Sequence, residues 1–179
     1  MRHGECFAGT FHESRRRLEI EAHVAETGWD QSPRLYALVP TADLMTHEPA
    51  LAAGLGVEGE VPAGSFTSVE QDPIPAGQGF EDSLAEMMWP EQVVGCAAVV
   101  ERIMLPPAAE ATIPQDPDDI ERYVAEHPDR QEVRIVAAAI RDGQSHSTVR
   151  ARMPEDAELL EGPDLVPTLI ELLKRTLAD

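Results

Sequence analysis

The chain has 179 residues, 42% of them hydrophobic, which suits one globular domain with a real core. It carries 33 acidic and 14 basic residues, a net charge of -19, and only 4% aromatic residues. That balance repels nucleic acid and anionic membrane surfaces and offers few rings for base stacking, so nucleic-acid binding and membrane binding are excluded.

Residues 1–17 show no hydrophobic period and are expected to form a flexible extension before a single domain at 18–179. Ser14 is a plausible cap for a helix to about Thr27, with Gly28 as its stop. Trp29 to Pro33 is a turn, and Arg34 to Val39 a strand ended by Pro40. Thr41 caps a short helix, and Pro49 opens a second short piece. Gly54 to Ser65 and Asp72 to Gly79 are surface loops on either side of a strand over Phe66 to Gln71. A helix is expected next, at about 80–88.

Val93 to Val100 is a run of uncharged residues behind a Trp-Pro turn, and Pro106-Pro107 ends the extended stretch a few residues later. This predicts a long strand over 93–105 in the middle of a sheet, buried on both faces at its start. Residues 106–115 are irregular. Asp116-Pro117 sets a cap and a first-turn proline for a helix that ends before Pro128.

Val133–Ile140 and Ser145–Met153 flank Arg141-Asp142-Gly143 and predict a hairpin. A two-residue Asp-Gly turn would place Val133 and Ile135 beside Arg152 and Arg150. A three-residue turn with Gly143 left-handed pairs 140 with 144. It groups Val133, Ile135, Val149 and Ala151 on one face and puts Glu132 opposite Arg152 and Arg134 opposite Arg150 on the other. A one-residue slip moves every side chain across the sheet, so burial selects the three-residue turn. A last helix from Asp164 to about Leu177 carries a leucine stripe. The fold class is α+β, with about five strands in a mainly antiparallel sheet and helices packed on it.

Signatures of chemistry are weak. No histidine pair has a metal-ligand spacing, and Cys6 and Cys96 are too far apart in sequence to form a redox or zinc motif. No metal and no cofactor is expected. Cys96 belongs to the buried strand as an inert thiol. Gly54 to Gly59 spells G-x-G-x-x-G, but it comes after a helix and precedes a loop, the reverse of a dinucleotide site. His127 to Glu132 packs a base, an acid and an arginine together, yet suits a polar helix-to-strand turn better. Ser145, Ser147 and Thr148 near His146 lack a nucleophile elbow. No catalytic residue is assigned.

The candidate ligand-binding set is Arg102, Arg134, Arg150 and Arg152 with Glu132, all on expected strands in a chain short of positive charge. Facing like charges destabilise a sheet unless something pairs with them. The partners are either acids of this chain or an anionic ligand.

Four blocks carry a family resemblance. They are Gly28–Gln31 with Arg34–Thr41, Trp89-Pro90 with Gly95–Ala97 and Val100–Arg102, His127–Arg134, and Gly162–Pro167. Over about residues 18–177 the chain resembles a family of small, acidic, uncharacterised actinobacterial proteins. The resemblance implies a GC-rich source and a cytoplasmic home, and transfers no catalytic residue. Thirteen arginines against one lysine, Lys174, agree with GC-rich codon use. Arg15–Arg17 imitate a twin-arginine signal, but no apolar stretch succeeds them, and no run is long enough to span a membrane.

The expected function is a non-catalytic cytoplasmic protein-binding domain, of adaptor or chaperone-like type, with a protein partner or a homodimer. Small acidic secretion chaperones offer an architectural analogy only. The alternative is a small-molecule binder or enzyme that uses the arginine-lined face for an anion.

Overall fold

A computed structural model of the protein describes residues 9–10, 17–61, 63–75 and 77–178. The expected cap Ser14, with Cys6, His3 and His12, lies outside these residues. The first elements are β1 (Gly9–Thr10), α1 (Arg17–Glu26) and β2 (Arg34–Pro40). Gly28, at a φ of +79°, stops α1 as expected. Two short helices, α2 (Thr41–His47) and α3 (Pro49–Gly54), lead to β3 (Ser65–Glu70) and α4 (Phe80–Glu86). Then come β4 (Gly95–Met104), α5 (Pro107–Glu110) and α6 (Pro117–Glu126). The chain closes with β5 (Gln131–Ile140), β6 (Ser145–Ala151), β7 (Leu160–Gly162) and α7 (Pro167–Thr176).

The strands form one sheet in the order β1-β3-β2-β4-β5-β6-β7, and every neighbouring pair is antiparallel. The α+β class holds. The five expected strands are β2 to β6, and two short edge strands add to them. β7 carries one residue of each character, Leu160-Glu161-Gly162, too few to show a period. Gly9–Thr10 pairs with Phe66 and Ser65 inside the stretch expected as an extension. Residues 107–110, expected to be irregular, form the single turn α5 behind Pro106. The last helix starts at Pro167 rather than Asp164, because Pro167 suits its first turn.

The hairpin takes the three-residue turn. Ile140 N–H donates to Gln144 at 3.0 Å, Gly143 has a φ of +96°, and Val133 faces Ala151. Burial made that choice: Val133, Ile135 and Val149 join the main core. This core lies between one sheet face and helices α4 and α7, with Leu84, Ile170 and Leu173 at its centre. On the opposite face α1 sets Val24 against Tyr36, Ala97, Val99 and Val136. Helices α2 and α3 close a third cluster around Leu44, Ala52 and Leu55. α6 has no buried residue. No described helix is long and apolar enough to cross a membrane.

Arg141, at the hairpin turn, ties three segments together. Its guanidinium donates to the carbonyls of Val93 at 2.9 Å, Trp89 at 3.0 Å and Pro90 at 3.1 Å, and to that of Leu177. The Trp-Pro turn is thereby fixed to the end of α7, where Trp89 N–H also donates to Thr176 at 2.8 Å.

Gly95 is required by close packing. A Cβ there would lie 2.6 Å from Ile140 Cγ2 and 2.8 Å from the Ala139 carbonyl. Gly95→Ala should lower stability by about 1–3 kcal/mol through overpacking, seen as a lower urea midpoint with an unchanged slope. Cys96 is fully buried, and burial pushes its thiol from 9.0 up to about 11. The unfolded chain therefore loses this proton first. The contribution of Cys96 is complete below about pH 9 and is lost as pH rises toward about 11. Urea titrations across that range should show a steeper loss for the wild type than for Cys96→Ala.

Candidate functional site

The site grows from a buried charge. Arg134 of β5 is 2% exposed on the face covered by α1. Such a charge persists only if it is paired and hydrogen-bonded. Its guanidinium donates to Glu101 Oε1 at 3.4 Å and to the Gly28 carbonyl, and stacks 4.5 Å from the Trp29 ring. Glu101 faces Arg134 across the β4–β5 ladder. Its other oxygen accepts the backbone N–H groups of Asp30 at 2.9 Å and Gln31 at 3.3 Å. One ion pair thus holds the turn Gly28-Trp29-Asp30-Gln31 against the end of the sheet. Asp30 sits there at a φ of +64°, a left-handed conformation that aspartate adopts more readily than most non-glycine residues.

Each remaining arginine of the expected set also finds an acid of this chain. Arg150 meets Glu21 of α1, itself 4% exposed, with Nη2 to Oε2 at 3.1 Å. Arg152 donates to both Asp30 oxygens, at 2.9 and 3.0 Å, and to Glu132 at 2.8 Å. The hydrogen bond from Arg152 holds the Asp30 carboxyl below the usual range. Arg102 faces Val133 and so projects from the other side of the sheet, where it binds Glu81 of α4. Burial is the largest single influence on Glu81 and opposes its ionisation, but the hydrogen bond from Arg102, a backbone hydrogen bond and the Arg102 charge together outweigh it and lower its carboxyl. Arg134, Arg150, Arg152 and Glu132 therefore share a face as the register requires, and Arg102 does not.

Beside this network lies an open cleft of about 400 Å³. Trp29, Asp30, Glu101, Arg102, Ile103, Val124, Glu132 and Arg152 line it. Trp29, Ile103 and Val124 make an apolar strip between charged rims. Sequence reasoning missed Trp29, Asp30, Glu101, Ile103 and Val124 as site residues. Trp29 had a signal: it is one of only two tryptophans, placed in a polar turn. Ile103 and Val124 had none, since each reads as an ordinary apolar residue of its element.

The other motifs do not converge. His127 packs edge-on against Tyr123 at 5.4 Å, and its Nδ1 accepts the Asp129 N–H at 3.1 Å, so that segment closes the turn after α6. Glu132, five residues on, faces Arg152 instead. Gly56 and Gly59 adopt positive φ in a loop with no strand before it. Ser147 donates to the Gly162 carbonyl at 3.0 Å. No group of His, Cys, Asp and Glu among the described residues could hold a metal ion.

Fold and site together define an α+β protein whose antiparallel sheet ends in an open, partly apolar cleft built on internal ion pairs. The chain belongs to the PPA1309-like protein family, an uncharacterised one, whose model matches residues 14–178. No curated protein and no solved structure matches the chain.

Glu101→Ala should cost about 3–5 kcal/mol, because it leaves the Arg134 guanidinium buried and uncompensated. The double change Glu101→Leu/Arg134→Met should recover most of that loss in urea denaturation.

Proposed function

We propose that this protein is a non-catalytic binding domain that holds a segment of a protein partner in the Trp29 cleft. One observation carries the proposal. All four arginines expected to meet a ligand are engaged by carboxylates of the same chain, so the cleft offers no unneutralised guanidinium cluster to an anion. What it offers instead is apolar surface with polar rims, the composition of a protein-recognition patch. Ile103, 43% exposed, is available for contact. The same proposal takes the source to be actinobacterial and the compartment cytoplasmic. The arginine excess supports the first, and the free, buried thiol of Cys96 suits the second.

Charge reversal of Arg134 would unfold the site, so the probe belongs at exposed Ile103. Immobilised wild type should retain a specific protein from lysate of the source cells, and Ile103→Asp should lose it. Melting temperature should stay unchanged with phosphate or citrate. An anion that raises the melting temperature, with no protein retained, would replace this proposal by the arginine-face small-molecule alternative.

A further inference from the structure

The hydrogen-bond phase of the sheet leaves the outward backbone groups of one strand residue, Ile103, bare beside the cleft. Ile140 N–H donates toward β6, to Gln144, and the Glu132 carbonyl accepts Arg152 N–H on the same side. Even-numbered residues of β5 therefore direct their backbone groups to β6, and odd-numbered ones direct theirs to β4. The register pairs Val133 with Arg102 and Gln131 with Met104. Arg102 and Met104 therefore bond to β5, whereas Ala97, Val99, Glu101 and Ile103 point their N–H and C=O groups the other way, toward β2.

β2 meets only part of that row. Its first residue, Arg34, stands opposite Val99, and the chain before it departs to the Trp29 turn. The Glu101 carbonyl accepts Arg102 Nη1 at 3.1 Å. Among the described residues no backbone group pairs with Ile103 on this side. An unpaired edge of this kind, next to a cleft, is a template for strand addition.

Resting on the proposed cleft, we infer that an extended, basic segment of a partner protein adds as a strand along the outer edge of β4 at Ile103. Its backbone pairs with the Ile103 N–H and C=O. Alternate side chains enter the cleft against Trp29 and Val124, in keeping with the period of two of a strand. Charge selects the occupant. Asp30 and Glu132 line the cleft with side-chain exposures of 75 and 43%, two carboxylates that share the one Arg152 guanidinium, and the chain as a whole carries -19. That field attracts lysines and arginines and opposes the edge-to-edge approach of a second copy.

Ile103→Pro tests the inference cleanly, because it removes an N–H that points outward and no bond of the β4–β5 ladder. The probes are three eight-residue peptides that alternate valine with lysine, with glutamate or with threonine. A fourth is the lysine peptide N-methylated at alternate residues, so that wild-type protein alone can answer. The readouts are hydrogen exchange at the Ile103 amide and the Trp29 indole N–H resonance. The lysine peptide should slow exchange at Ile103 and shift the Trp29 signal. Binding should weaken about five- to tenfold in Ile103→Pro and for the methylated peptide, the scale of a lost backbone bond. Trp29 shifts that are indifferent to Ile103→Pro and to methylation would overturn strand addition and leave the cleft as a binding site. Equal binding of the glutamate peptide would overturn the basic occupant. A dimer in sedimentation that Ile103→Pro dissolves would assign the edge to a second copy. No change at either reporter with any peptide would overturn both the edge and the cleft.

Discussion

The Arg134–Glu101 pair is the constraint on which the cleft end of the molecule depends. A guanidinium buried to this degree is costly unless its partners are fixed, and each partner here is fixed by something else. Glu101 is set by the β4–β5 register, the Gly28 carbonyl by the end of α1, and the Trp29 ring by its turn. The turn in turn hangs on the second oxygen of Glu101. The arrangement is mutual: remove one member and the others lose their satisfied geometry. This is how a polar loop comes to sit firmly at the end of a sheet, and how the cleft acquires a rigid wall.

The same economy explains why a positive cluster in a very acidic chain is not a ready anion site. The arginines join α1, the Trp29 turn and α4 to the sheet, one acid for each. With the charges matched internally, the remaining features of the cleft are apolar surface and an open backbone edge. Both are the grounds on which a polypeptide partner is proposed here in place of a small anion. In that proposal the acidic exterior biases which polypeptide approaches.

Much of the architecture was legible in the chain. The uncharged run at 93–100 marked the central strand, and its position between β2 and β5 agrees with burial on both faces. The 133–153 hairpin was legible down to its register, because one of two pairings would have put arginines into the core. Asp116-Pro117 marked the start of α6, and Asp116 does accept the Asp118 N–H at 3.0 Å. The edge strands β1 and β7 were not legible. At two and three residues they carry no period, and they exist because a neighbour presents a free edge. The candidate site was half legible. The arginines announced themselves, but their partners Glu21, Asp30 and Glu101 come from three distant segments among 33 acids.

Sequence alone determined the class of the fold, the antiparallel hairpin and the face on which Arg134, Arg150 and Arg152 gather. Those rest on hydrophobic period and turn chemistry, which are local. Only the tertiary structure decided which acid meets each arginine, that Trp29 lies under Arg134, and that β2 ends short of Ile103. Such facts depend on where distant segments stop and cross, and no local pattern in the chain encodes that.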